Sequence, residues 1–325
     1  MKNSDVIDVT RNRPSTKGFK CSEKVEIVDG MPTVIFQCNL PSGKVLEFSC
    51  REPSCGALEQ EEKAAVIPDE DYVVNPDFFN DDLTMAGVTG FKVWTGTRLL
   101  VETLVWSHEN DCDRLGEIQK CIRGSSRIVE LGAGVGVVGT YLAAVGSHVM
   151  ITDLPTLVET VIEENIERNH GESSSSSSEE DGVPTWLTTG VKIGEGFVDA
   201  TPLNWILPLE DQLQEDQRTN LDFIVASDVV FLKQMLESLL NTAAALFESS
   251  KATQPSFILS FQRRDSEDGE ESDSFTTVDG ILKAVQERGW KLECLAFRHI
   301  MVEKERGDKI VKEQTEVFVF EIDPW

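Results

Sequence analysis

Short apolar-rich runs near the start of the chain give way to segments of helical spacing further along it. The early runs occupy residues 25–28, 33–38 and 45–48, and the turn signal Pro-Ser-Gly-Lys separates the last two. Apolar runs of this length, bounded by turn residues, are typical of β-strands. We therefore predict a small N-terminal β segment.

From about residue 90 the pattern alternates between strands and helices. Helical spacing covers residues 96–108, 114–121, 137–144, 157–169, 235–247 and 277–288. Strand-like runs cover residues 128–131, 148–152, 221–226, 257–261, 291–297 and 315–322, and one further strand falls within 186–205 without a clear position. The charged segment 303–313 is too short for a crossover helix plus loops, so the last two strands are predicted to be antiparallel neighbours. The pattern predicts an α/β sheet of five parallel-type strands followed by this pair.

Polar tracts suggest how the chain is divided. We predict an N-terminal β-containing extension over residues 1–89, with a polar and mobile stretch at 1–20, and one larger domain over residues 90–325. Residues 170–182 are an insertion rich in serine and acid. Such a tract cannot bury apolar surface and is predicted to be disordered. Residues 265–274 are predicted to be an acidic loop.

The net charge of -27 bears on the choice of partners. It would repel phosphate backbones, so nucleic acid is not an expected ligand. Acid around a cleft would suit a basic protein substrate, although the same charge could serve solubility alone. No apolar run approaches the ~20 residues of a membrane span, and the N-terminal residues lack the apolar stretch of a secretory signal. We expect a cytoplasmic protein that does not enter a membrane, and the sequence leaves its oligomeric state open.

The cysteine pattern points away from a metal site. The chain has 7 cysteines with no C-x-x-C pair, and none of its 4 histidines lies near Cys50 and Cys55, the closest pair of the N-terminal cysteines. Zinc sites usually combine such residues at short spacing. We expect no bound metal and reduced thiols.

A glycine-rich run after a predicted strand is the main chemical signal. Glu130 ends the apolar segment, and Gly132, Gly134 and Gly136 follow at alternate positions before the next helix. A strand, a glycine turn and a helix allow a nucleoside-like ligand to approach bare backbone. A carboxylate before the glycines would repel a pyrophosphate and would suit a cationic amine. These features favour S-adenosylmethionine, which carries a positively charged amino acid end and no phosphate.

A dinucleotide is the competing ligand. Gly134, Gly136 and Gly139 also form G-x-G-x-x-G, and Asp153 follows about 20 residues later, as the dinucleotide motif expects. The glycines alone do not decide between the two. The acid before them, the Asp-Val-Val-Phe segment at 228–231 and two tryptophans, Trp94 and Trp205, favour S-adenosylmethionine.

Taken together, residues from about 90 to 325 resemble the seven-strand (class I) S-adenosylmethionine-dependent methyltransferases. Within that class the chain is similar to the family 16 protein-lysine methyltransferases (methyltransferase-like group 21). The segments that carry the resemblance are residues 91–94, 129–136, 151–155, 202–205 and 226–231. The resemblance implies a doubly wound, Rossmann-like seven-stranded sheet with a reversed last strand. It also implies S-adenosylmethionine as cofactor and a protein lysine as methyl acceptor.

The resemblance also implies a set of cofactor-binding residues. These are Trp94, Glu130, Gly132, Ala133, Gly134, Asp153, Trp205 and Ser227. Glu130 would bind the methionine part directly or orient the loop. Asp153 offers an acceptor-only group to both ribose hydroxyls, although an Asp at this position could instead cap the following helix. Trp205 would lie against the adenine, next to Asn204 where relatives often have Asp; Asp199 is another acid nearby.

Asp228 and Phe231 are the predicted catalytic residues. They match an acid-x-x-aromatic motif of the family, in which the acid would hold the substrate amine and the aromatic ring would wall the channel. Relatives usually carry Tyr where this chain has Phe231, so no hydroxyl is available there. Two other functions stay open at this point: a methyltransferase for a small molecule or another nucleophile, and a non-catalytic binding module.

Overall fold

The computed structural model describes residues 11–28, 31–50, 89–109, 111–170, 182–264, 275–306 and 309–325. The predictions for residues 1–10, for residues 171–181 of the serine-rich insertion and for the acidic loop 265–274 lie outside the described residues, as does most of the extension between 51 and 88.

A three-stranded antiparallel sheet forms the described part of the N-terminal extension. Its strands are β1 (Cys21–Val28), β2 (Met31–Asn39) and β3 (Val45–Cys50), in the order β1-β2-β3. They coincide with the three apolar-rich runs of the sequence, so the predicted β segment is confirmed.

The main sheet contains the seven predicted strands and one short additional strand. They are β4 (Arg127–Leu131), β5 (His148–Asp153), β6 (Val191–Ile193), β7 (Gly196–Pro202), β8 (Phe223–Ser227), β9 (Ser256–Gln262), β10 (Lys291–Arg306) and β11 (Lys309–Asp323). Their order is β10-β11-β9-β8-β4-β5-β7-β6. Strand β7 is the one that the sequence pattern could not place, and β6 is a three-residue antiparallel strand at the edge beside it.

The direction of the strands sets the position of the site. Strands β4, β5, β7, β8 and β9 pair in parallel, whereas β11 runs antiparallel to both β9 and β10. The last strand is therefore reversed, as the resemblance implies. The chain moves from β4 outward to β5 and β7, then returns to β8 on the other side of β4. In open α/β sheets, ligands bind at the carboxyl ends of the strands where such a switch occurs.

Strands β10 and β11 are longer than the sequence pattern predicts. The two are antiparallel neighbours, as expected, but they continue through most of the charged segment and pair as far as Arg306 and Lys309. Backbone pairing in a two-stranded ribbon does not require a buried apolar face. The charged composition therefore concealed residues that are in strands.

In the described ranges of the chain, six helical segments cover the sheet: α1 (Thr95–Val105), α2 (Asp113–Ile122), α3 (Val137–Ala144), α4, α5 (Lys233–Ser249) and α6 (Val278–Glu287). Segment α4 joins the turn Pro155–Leu157, a π-helical turn Val158–Ile162 and the helix Glu163–Asn169. The Thr277 side chain caps α6 by accepting a hydrogen bond from the Gly280 N–H. Among the described residues, no helix is both long enough and apolar enough to cross a membrane.

Both faces of the main sheet are buried. Successive residues of a strand point to opposite faces, and on β4 Ile128 packs into one hydrophobic cluster whereas Val129 packs into the other. The first cluster includes side chains of α1, α3 and the N-terminal sheet, and the second includes side chains of α5 and α6. Burial on both faces explains why the central strands are continuous apolar runs.

The N-terminal sheet docks on α4 through two asparagines. Asn165 accepts from the Ser49 N–H at 2.7 Å and donates to the Ser49 carbonyl at 3.1 Å. Asn169 makes the same pair of bonds to Glu47, at 2.9 and 2.7 Å. The amide side chains thus provide hydrogen-bond partners for backbone N–H and carbonyl groups on the outer edge of β3. Because Phe48 also packs into the first hydrophobic cluster, the sheet shares a core with the larger domain.

Residues just before β1 are also anchored. Arg13 is 3% exposed, its N–H donates to the Phe297 carbonyl at 2.8 Å, and its guanidinium contacts the Asp111 carboxylate at 2.8 Å. The prediction of a mobile segment was wrong at this position, because a polar sequence does not reveal an ion pair whose partner is far along the chain.

Candidate functional site

A pocket lies at the carboxyl ends of the central parallel strands. Nine of the ten predicted site residues line it: Trp94, Gly132, Ala133, Gly134, Asp153, Trp205, Ser227, Asp228 and Phe231. They come from the ends of β4, β5 and β8, from the start of α1 and from the loop after β7. The tenth, Glu130, is not among the lining residues.

The glycine loop after β4 leaves no room for side chains. Gly132 and Gly134 have φ values of +68° and +58°, which favour glycine. A Cβ on Gly132 would lie 2.7 Å from Val229 and 2.9 Å from Trp205, and a Cβ on Gly134 would lie 2.8 Å from the Gly90 carbonyl oxygen. The loop therefore offers bare backbone to the pocket.

Glu130 lies beneath this loop. Its side chain is buried, and Oε2 accepts from the Gly139 N–H at 2.8 Å in the first turn of α3. Desolvation raises the pKa of the carboxyl to about 8; the bond from Gly139 opposes this shift and the charge of Asp153 adds to it. Of the two roles considered for Glu130, these contacts correspond to orienting the loop. The sequence alone suggests that the Glu130 carboxylate faces the cationic amine of the ligand. The structure corrects this interpretation, because the carboxylate is buried and is bound by the Gly139 N–H.

Asp153 faces the pocket from the end of β5. Its carboxylate accepts from the Gly134 N–H and from the Leu154 N–H, each at 2.7 Å. Burial raises its pKa to about 6, although both hydrogen bonds favour the ionised form. A carboxylate has about four acceptor sites, so two stay open to a ligand. Leu154, not Asp153, is the N-cap of α4, and no side chain caps that end.

The two tryptophans lie at different parts of the pocket wall. Trp205 follows β7 and would be in contact with any side chain at Gly132, whereas Trp94 precedes α1 and donates from Nε1 to the Thr89 carbonyl at 3.1 Å. Asn204 accepts from the Ile206 N–H at 3.1 Å and so stabilises the loop.

Asp199, the other acid near Trp205, is not a pocket residue. It is 3% exposed, and it accepts from the Thr188 N–H at 2.6 Å and from the Thr189 hydroxyl at 2.5 Å. These bonds account for its burial inside β7. It does not replace the acid that relatives often have at the position of Asn204.

Ser227 and Asp228 join the end of β8 to its neighbours. The Ser227 hydroxyl is 2.7 Å from the Thr97 hydroxyl of α1. The Asp228 carboxylate accepts from the Gly96 N–H at 2.6 Å and from the Gln262 N–H at 2.7 Å, and its side chain is 0% exposed. Burial raises its pKa. The carboxylate thus links β8 to the start of α1 and the end of β9, and its oxygens do not reach solvent.

Sequence reasoning missed Arg264, which follows β9. Its guanidinium carbon lies 5.4 Å from the centre of the Trp94 ring and 5.8 Å from that of Phe231, and Nη2 is 3.8 Å from Asp228 Oδ1. No local motif marks this residue. The available signal was its place at the carboxyl end of a buried strand, where the side chains of a parallel sheet converge.

Within the part of the chain that the structure describes, no group of three or more His, Cys, Asp or Glu residues could hold a metal ion. The six described cysteines are free thiols; Cys55 lies outside the described residues.

Comparison with known proteins matches residues 79–278 to a family described as lysine methyltransferase. The chain is 27% identical over 214 residues to EEF1A lysine methyltransferase 3 of Xenopus tropicalis, an alignment that covers 63% of this chain and 80% of that protein. It is 40% identical over 151 residues to the protein of the same name from Mus musculus, covering 45% and 51%. It is 32% identical over 134 residues to calmodulin-lysine N-methyltransferase of Arabidopsis thaliana, covering 40% and 36%.

For two of these three relatives, the alignment spans about half of their length or less. The family match, in contrast, includes the glycine loop, the ends of β5, β7 and β8, and both tryptophans of the pocket. The chain therefore belongs to the lysine methyltransferase family.

Proposed function

We propose that this protein transfers a methyl group from S-adenosylmethionine to a lysine side chain of a protein substrate. The observation that carries the proposal is the pocket itself. It combines bare backbone at Gly132 and Gly134, an acceptor-only carboxylate and an indole ring at the switch point of the sheet. Membership of the lysine methyltransferase family supports the same reaction.

The pocket residues fit the chemical groups of the donor. The two open acceptor sites of Asp153 suit the ribose hydroxyls, and Trp205 offers a flat apolar face for the adenine. Gly132 and Gly134 would lie along the methionine part, where any Cβ would collide with protein. Glu130 would act on the donor through the loop, because its carboxylate is held by Gly139.

The chain's contribution to the chemistry is mainly alignment and exclusion of water. The bound donor supplies an activated methyl group, and transfer is an in-line displacement by the substrate amine. That amine must be neutral, although the pKa of free lysine is ~10.4. A wall formed by Trp94, Phe231 and Val229 would remove water from the amine and so lower its pKa. The two rings would attract the ammonium before it loses its proton. The lysine ammonium would release its proton to water before the transfer.

Asp228 has a positioning role in this scheme. Both of its oxygens are committed to backbone N–H groups of α1 and β9, so it would fix the two sides of the substrate channel relative to each other. A direct contact between this carboxylate and the amine is not part of the proposal.

The proposal extends to the substrate and the compartment. The net charge of -27 suits a basic protein substrate, because it raises the rate at which a cationic partner is encountered. The free thiols suit a reducing compartment, and we place the enzyme in the cytoplasm. Fractionation of cells that express a tagged chain tests this location.

Methyl transfer can be tested with donor labelled in its methyl group. The purified protein is incubated with elongation factor 1A, with calmodulin, and separately with a whole-cell protein extract; the first two are substrates that the relatives' names give. Label that survives acid hydrolysis as methyl-lysine is expected on a protein band. Label confined to small molecules, or to another type of residue, would replace the proposal with the alternative of a different nucleophile.

Donor binding is tested with the Asp153→Ala variant, and Asp199→Ala is the matched control. The Asp153→Ala variant is expected to lose most of its affinity for the donor, whereas Asp199→Ala, which removes an acid outside the pocket, should bind the donor as the wild type does. Tight binding of NADH and none of S-adenosylmethionine would instead favour the dinucleotide alternative.

A further inference from the structure

Arg264 is held in a site that suits a cation. Its guanidinium lies next to the faces of Trp94 and Phe231, both of which line the pocket, and next to the Asp228 carboxylate. Aromatic faces attract cations within about 6 Å. A carboxylate behind two rings is therefore a favourable position for any positively charged group.

The polar contacts that Arg264 makes with described residues are long. Its hydrogen bond from Nη1 to the Gln262 carbonyl measures 3.4 Å, and its nearest approach to Asp228 is 3.8 Å. A guanidinium has five donors and pairs best with a carboxylate through two short parallel bonds. Asp228 cannot provide them, because Gly96 and Gln262 already occupy its oxygens.

Arg264 is also largely buried, with 17% of its side chain exposed. Desolvation lowers the pKa of its guanidinium, and the nearby Asp228 charge opposes that effect only in part. A charged group that has lost water without gaining short hydrogen bonds is weakly stabilised. Such an occupant can be replaced by another cation at little cost.

A lysine substrate presents the same chemistry. On the proposed function, on which this inference rests, the ammonium must pass the rings of Trp94 and Phe231 to reach the donor, and it would be drawn to the same rings and the same carboxylate. We propose that Arg264 occupies the target-lysine slot of the free enzyme and is displaced when the lysine enters. Arg264 thereby sets the affinity for the target amine.

The first test uses n-butylammonium, which matches the lysine side chain, in the presence of S-adenosylhomocysteine. Its binding to the wild type and to Arg264→Ala is measured by saturation-transfer NMR. The variant should bind the probe at least fivefold more tightly, because its slot is open. Arg264→Lys, which refills the slot with an ammonium, should bind within about twofold of the wild type.

Arg263→Ala is the matched control. It removes the same charge one residue away, but Arg263 pairs with Glu316 at 2.6 Å and approaches the ring of Phe318, not the pocket. A gain in probe affinity that also appears in Arg263→Ala would be a general charge effect and would overturn the proposal. Equal or weaker binding by Arg264→Ala would overturn it as well.

The wild type provides a readout that does not depend on the folding of a variant. The Arg264 Nε–H resonance, assigned by its loss in Arg264→Lys, should shift and sharpen as n-butylammonium is added, because the side chain is released. If the probe binds and this resonance does not respond, n-butylammonium binds without displacing the Arg264 guanidinium, and the proposal is wrong.

The last test measures KM and kcat separately for a protein substrate that the labelling experiment has identified. Arg264→Ala should lower the substrate KM about threefold to tenfold and leave kcat within twofold of the wild type. A raised KM would show that Arg264 attracts the substrate and would refute displacement. Absence of methyl transfer by the wild type would refute the proposed function, whereas the n-butylammonium result would still decide the role of Arg264.

Discussion

Replacing Glu130 by Gln should make the protein more stable, and the gain should grow as the pH rises. The carboxyl is 1% exposed, and burial raises its pKa to about 8 from an ordinary value of 4.5. The folded protein therefore keeps a proton that the unfolded chain releases. The stability that comes from the protonated form is complete below about pH 4.5 and is lost as the pH rises towards 8.

The magnitude follows from the size of the shift. A rise from 4.5 to about 8 corresponds to a total loss of about 5 kcal/mol at about 1.4 kcal/mol per pH unit. Between pH 5 and pH 7 the loss is about 2.5 kcal/mol. Gln keeps an oxygen that can accept from the Gly139 N–H and has no charge to bury, so the variant is free of this loss.

Urea denaturation of both proteins at pH 5, 6, 7 and 8 measures the difference in unfolding free energy. That difference should be about 1 kcal/mol at pH 5 and about 3 kcal/mol at pH 7, in favour of Glu130→Gln at both. Glu117→Gln, at a residue whose side chain is 68% exposed, is the control and should show no such trend. A difference that stays flat across this range would refute the burial of an ionisable Glu130. If Glu130→Gln instead loses donor affinity and shows no pH trend in unfolding free energy, Glu130 contacts the donor directly.

Three further predictions concern the donor site and the anchoring of the chain. Donor affinity should be nearly constant above pH 7 and fall about tenfold between pH 7 and pH 5, because the pKa of Asp153 is about 6 and the protonated acid loses acceptor capacity; calorimetry that shows no change over this interval would argue against a ribose contact. Gly134→Ala should abolish donor binding and destabilise the protein by about 1–3 kcal/mol, since its φ is +58° and the Gly90 oxygen lies 2.8 Å from the added Cβ. Gly116→Ala in α2, where nothing lies within 4 Å, should instead stabilise by about 0.5–1 kcal/mol; equal losses of stability would contradict the steric argument. Arg13→Ala should cost about 3–5 kcal/mol in thermal or urea unfolding, because the buried pair with Asp111 is broken, whereas Arg11→Ala breaks an exposed pair with Glu293 and should cost less than about 1 kcal/mol.

Local patterns in the sequence determined most of the elements and the place of the pocket. Apolar runs and turn residues suffice to predict the strands β4, β5, β8 and β9. Each of these strands is a continuous apolar run, which is the composition typical of a strand that is buried on both faces. The glycines after β4 predict a backbone-lined site for a similar reason: tolerance of positive φ and the absence of a Cβ are properties of glycine itself, and the structure shows positive φ at these positions.

The limits of that reasoning appear where a neighbour in space decides the outcome. The charged part of β10 and β11 is strand because each pairs with the other, which composition does not show. Strand β7 lies in a segment of mixed composition and is formed by pairing with β5. Arg13 is held in place because its guanidinium forms an ion pair with the carboxylate of Asp111, which is 98 residues away in the sequence.

The same division holds inside the pocket. The sequence by itself predicted nine residues that line the pocket, because they follow the parallel strands or precede a helix, but it did not reveal Arg264. Only the tertiary structure decided what their charged groups do. Glu130 and Asp228 both turn their oxygens to backbone N–H groups, and Arg264 lies against the aromatic wall. A motif specifies residue type and spacing, but burial, partner and direction depend on chain segments that approach each other only in the folded protein.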